Sequence, residues 1–125
     1  MRPRFQMFRG TFTSWGNLFE DAAKFASALA PGQLIGIHHS ADRADGVVTV
    51  WFWDGGNPYP EHAAAGVVRF RVSRSTFYSW EAMYEDAAEF AATLPPHHVI
   101  GISHSDDKGD GVVVVWYWGE ADGGS

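Results

Sequence analysis

Val68, Phe70 and Val72 alternate with Arg69, Arg71 and Ser73, the period-two pattern of a strand with one buried face. The period then changes. Trp80, Met83, Ala87, Phe90 and Leu94 recur at intervals of three and four, which lays them along one stripe of a helix. Earlier in the chain Trp15, Leu18, Ala22, Phe25 and Leu29 form the same stripe, with Glu20, Lys24 and Ser27 opposite. Ser14 and Ser79 stand where N-caps belong. Neither has Glu or Gln at the third helical position, so the reciprocal capping box is incomplete. Pro31 and Pro95-Pro96 stop the two helices. Two apolar runs then flank an Asp- and Gly-rich loop, 34–40 and 47–53 around 41–46, and again 99–105 and 112–118 around 106–111. Such runs predict hairpins. With first strands over 4–13 and 67–77, the plan is βαββ, twice.

The two copies align over their length. A shift of 65 positions places Thr11–Asp54 on Thr76–Gly119 with 25 identities in 44 positions. The period is too long, and two copies too few, for a solenoid. The expected fold is therefore α+β: tandem duplicated βαββ units forming a pseudo-two-fold antiparallel-sheet domain, with one helix per repeat on one sheet face. Residues 1–54 are the first repeat, 55–66 a turn-rich linker, 67–119 the second repeat and 120–125 a frayed tail. A right-handed crossover with the third strand between the first two gives each unit a three-stranded sheet.

Alternation sorts the hairpins into two faces. Ile35, Ile37, Val48, Val50 and Phe52, with Ile100, Ile102, Val113, Val115 and Tyr117, suit packing against the helix. The other face carries Gly36, His38, Val47, Thr49, Trp51 and Trp53, matched by Gly101, Ser103, Val112, Val114, Trp116 and Trp118. Four Trp on a helix-free face exceed what a monomer normally exposes. One reading buries them between the two half-sheets or between two chains. The other makes them line a pocket for a planar or apolar ligand, with Arg69 or Arg71 supplying charge. A βαββ plan with Trp on its open face resembles, in architecture, the dodecins, small assemblies in which Trp stacks on a flavin ring. The resemblance implies a planar-ligand platform and fixes no site, since no motif aligns and dodecins are not tandem.

His39 and His104 are equivalent, and each is followed by loop aspartates, Asp42 and Asp45 in one copy, Asp107 and Asp110 in the other. His with carboxylates can hold a divalent metal or run acid–base chemistry. The same aspartates also suit Asx-turns leading into Gly46 and Gly111. Glu20-Asp21 and Glu85-Asp86 point about 100° apart on a helix and do not converge.

Composition narrows the partners. The 125 residues carry a formal net charge of −6, a poor match to duplex nucleic acid, which needs clustered Lys and Arg. There is no cysteine, so disulfides and thiolate metal sites are ruled out. The opening residues show no apolar signal segment, and no apolar run approaches the roughly 20 residues that span a bilayer. The expectation is a cytoplasmic, non-membrane protein. Its leading function is a non-enzymatic interaction module, a homo-oligomer joined through the Trp-rich face. A small-molecule binder with an aromatic pocket, its cofactor unspecified, is the alternative, and a His/Asp metal enzyme comes third.

Overall fold

Ser14 and Ser79 start both helices. Ser14 Oγ accepts the Asn17 N–H and Ser79 Oγ accepts the Ala82 N–H, each at 3.1 Å, which satisfies one open donor of the first turn. They open α1 (Trp15–Ser27) and α2 (Trp80–Ala92). The computed structural model describes residues 2–10, 14–42, 45–59, 66–75, 78–107 and 110–120. The expected strand ends at 11–13 and 76–77, the residues 60–65 of the linker and the tail 121–125 lie outside these.

Six strands accompany the helices: β1 (Pro3–Gly10), β2 (Leu34–Asp42), β3 (Asp45–Trp53), β4 (Val67–Ser75), β5 (Val99–Asp107) and β6 (Asp110–Gly119). They form two antiparallel sheets of three, in the orders β1-β3-β2 and β4-β6-β5. The third strand of each unit lies between the other two, as the crossover argument expects. The hairpin strands run further than the sequence reading had them, remaining paired as far as Asp42–Asp45 and Asp107–Asp110. The connection between units uses Gly55, Gly56 and Gly66 at φ of 78°, 120° and 97°, where a side chain would be strained.

A β-bulge in β2 and its counterpart in β5 correct the face assignment. The register shifts between Leu34 and Gly36, and between Val99 and Gly101. Each bulge absorbs one residue, so Ile35 and Ile100 leave the helix side on which alternation had placed them. Ile35 is exposed, and Ile100 packs with the cluster around Trp116. Ile102 keeps its expected parity beside Val115 but stays exposed, whereas its equivalent Ile37 is buried.

The layers are first sheet, α1, second sheet, α2. Leu18, Ala22 and Phe25 of α1 pack with Ile37, Val48 and Val50 of the first sheet. The same helix turns Phe19 toward Phe70 and Trp116 of the second sheet. α2 covers the far side of that sheet, where Met83 and Ala87 meet Val113 and Val115. A two-fold relation requires reciprocal contacts, with α2 lying on the first sheet as α1 lies on the second. α2 instead packs on β4 and β6 of its own unit. The units therefore follow one another head to tail, with β2 set against β5.

One hydrogen bond ties α1 to β4. Ser27 Oγ donates to the Ala23 carbonyl at 2.7 Å and accepts the Val68 N–H at 2.8 Å. Ser27→Ala leaves that backbone donor without its acceptor, and such a loss costs about 1–2 kcal/mol. The expected result is a lower urea midpoint with an unchanged m-value.

Candidate functional site

Both sheets build the same aromatic pair. Phe5 lies opposite Trp51, with ring centroids 5.4 Å apart and planes at 50°. Phe70 lies opposite Trp116, at 5.5 Å and 49°. Their surroundings differ. Phe19 of α1 closes over the second pair, 5.5 Å from each ring, and Trp116 is 0% exposed. Trp118 is buried beside it. In the first sheet Phe5 is 58% and Trp51 38% exposed. Met7 and His38 are exposed on the same face, and Thr49 and Trp53 are half-buried there. The four Trp expected on one kind of face thus divide into core and surface.

A second repeated constellation sits on the helix side. Trp15, Phe19 and His39 meet at centroid distances of 5.3–5.4 Å. Trp80, Tyr84 and His104 meet at 5.5–5.8 Å. In the first unit this three-ring cluster is filled by the second sheet. His39 Nδ1 lies 2.5 Å from Ser103 Oγ, which also accepts the Trp116 indole N–H at 3.1 Å. His39 Nε2 is buried with no hydrogen-bond partner. Burial pushes the His39 pKa down to about 4; the Val112 backbone carbonyl opposes this, and the charges of His104 and His38 add to it. The ring is neutral at pH 7.

In the second unit the same place is open. Trp80, Tyr84 and His104, with Ser40, Ala41, Ser105 and Asp106, line a cleft of about 440 Å³. Ser105 Oγ is buried beside it and makes no hydrogen bond. A further cavity of about 340 Å³ runs between β4 and the start of α2. Its guanidinium groups are both engaged, Arg71 by Asp86 at 3.1 Å and Arg74 by Asp110 at 3.0 Å.

Arg69 and Arg71 do not charge the Trp face. They pair with Tyr117 and Val115, on the α2 side of β4, while Val68 and Phe70 share the face of Trp118 and Trp116. Arg69 donates to the Glu120 carbonyl, and Arg71 lies 4.9 Å over the Phe90 ring. Strand alternation is the cause: odd and even residues cannot share a face.

The metal candidates also part. Asp42 and Asp45 bind Arg9 at 2.6 and 2.8 Å. They stand on the opposite sheet face from His39, because β2 reverses side at each residue. His104 and Asp110 are separated in the same way, and the side chain of Asp107 lies outside the described residues. Among the described residues no three His or carboxylate groups converge to hold a metal, and no helix is long and apolar enough to cross a membrane.

Sequence reading missed Phe5, Phe19, Trp80, Tyr84 and Ser103 as members of these constellations. A signal was available. The 65-residue shift also matches Arg4, Phe5 and Arg9 to Arg69, Phe70 and Arg74, and Phe19, Ala23 and Ala26 form a second apolar stripe on α1. No family model, curated protein or solved structure matches this chain.

Proposed function

We propose that the chain is a non-enzymatic interaction module, built from a duplicated unit, that associates with copies of itself through the Phe5–Trp51 face of its first sheet. The observation that carries this reading is the exposed aromatic pair. Phe5, Met7 and Trp51 make a contiguous apolar patch on β1 and β3, and large exposed patches of this kind mark interaction sites. Aromatic residues and Met are enriched at such sites. With no cysteine, the chain suits a reducing compartment, and we place it in the cytoplasm. A second reading, a binder of a planar or apolar small molecule, draws on the cleft lined by Trp80, Tyr84 and His104.

Sedimentation velocity over a concentration series, paired with native mass spectrometry, separates the two. Self-association predicts that the wild-type chain grows in mass with concentration and that Trp51→Arg stays monomeric. A monomer that carries an adduct of a few hundred daltons, retained in Trp51→Arg and lost in Trp80→Ala, favours the binder.

A further inference from the structure

The interface inside the chain has a second, unfilled version of itself on the chain's two ends. Inside, Phe19 and Ala23 of α1 are buried, and Phe19 closes over the Phe70–Trp116 pair. Their equivalents 65 residues later are Tyr84 and Ala88 on α2, where Tyr84 meets His104 of the second sheet at 5.6 Å. Tyr84 is 41% exposed, and Ala88 is exposed beside it. The equivalents of the covered pair, Phe5 and Trp51, are exposed at the opposite end of the layer stack. Each end therefore presents one half of an interface whose complete form the chain already contains.

We infer that copies of this chain join head to tail, the Phe5–Trp51 face of one copy seating against Tyr84 and Ala88 of the next. This rests on the self-association proposed above and specifies its geometry. Two further observations agree with it. The three-ring cluster of Trp80, Tyr84 and His104 is already assembled, and the cleft it lines stands where the first unit receives the second sheet. The polar bonds of the internal interface have matched replacements. Ser103 and His39 become His38 and His104, and an imidazole, like a hydroxyl, has nitrogens that can donate or accept a hydrogen bond. The Ser27–Val68 bond becomes Ala92 and Pro3, so the hydroxyl and the N–H disappear together and neither is left unmatched.

A contact between two different patches is heterologous. It propagates into an open chain or closes into a ring, and it does not stop at a two-fold dimer. Two blocking variants test this. Trp51→Arg blocks one end and Ala88→Arg the other, and thermal melts confirm folding of each. Phe5→Arg replaces Trp51→Arg if the latter melts early. Sedimentation of the wild type is expected to show species beyond dimer, and each variant alone a monomer. An equimolar mixture of the two variants is expected to form a dimer and nothing larger, because one open end of each kind remains. Should the wild type associate while Ala88→Arg still does so, or should the mixture form no dimer, the head-to-tail contact is wrong and self-association stands by another route. A wild type that is monomeric at every concentration overturns both.

Discussion

Exchange of Trp116 for alanine is expected to cost about 3–5 kcal/mol of folding free energy, the range for deleting a large aromatic from a packed core. The same exchange at Trp51 is expected to cost about 1 kcal/mol, close to the worth of one aromatic pair. The two residues occupy equivalent positions in the sequence and face equivalent Phe partners at nearly equal distance and angle. What differs is the third side of the site. Trp116 loses contact with Phe19 and Phe70 together, and Ser103 Oγ loses the indole N–H that it accepts. Trp51 loses Phe5 and otherwise gives up surface that already touches water. Urea denaturation of both variants checks this, at a concentration where the wild type sediments as a monomer. Equal losses would contradict the packing of α1 against the second sheet.

Acid should begin to destabilise the fold through His39 at a pH above the ordinary carboxylate range. Burial holds its pKa at about 4 in the folded chain against an ordinary 6.5. Between these values the unfolded chain binds a proton that the folded chain does not, so stability falls as pH falls. The loss begins near pH 6.5 and is complete near pH 4. It amounts to about 3 kcal/mol, since each pKa unit is worth about 1.4 kcal/mol. Asp86, held below its usual range by Ser73 and then Arg71, acts in the same direction at lower pH. His39→Asn removes the titrating ring, and its stability is expected to be flat between pH 6.5 and 5. A wild-type curve that is equally flat would contradict a neutral, buried His39.

Local structure was readable from the sequence because local rules decide it. Ser14 and Ser79 cap their helices, the stripe from Trp15 to Phe25 faces the core, and the apolar runs on either side of each Asp- and Gly-rich segment pair as neighbouring antiparallel strands. The bulges at Ile35 and Ile100 were not readable, because an inserted residue leaves the apolar count of a strand unchanged. The side taken by Arg69 and Arg71 follows from alternation once Phe70 is paired with Trp116, yet the pairing itself is a tertiary fact. The relation between the units was the hardest to foresee. A two-fold and a head-to-tail arrangement both bury Trp116 and Val114, and periodicity does not say which helix covers which sheet. Small differences between the copies did carry that information. Phe19 is Tyr84 in α2 and Ser27 is Ala92, so the outer helix gains a hydroxyl at the ring position and loses the one that would bond a following strand.

The position of α1 between two sheets also orders events during synthesis. Chains are made from the N-terminus, and early segments fold first. α1 leaves the ribosome with its own sheet, while the strand that carries Trp116 and Trp118 arrives later. When those indoles emerge, the helix that shelters them is already in place. Until then the part of α1 left waiting is Phe19, Ala23 and their neighbours, a strip one helix wide. Were the order of the units reversed, an entire aromatic sheet face would wait uncovered for a helix not yet made.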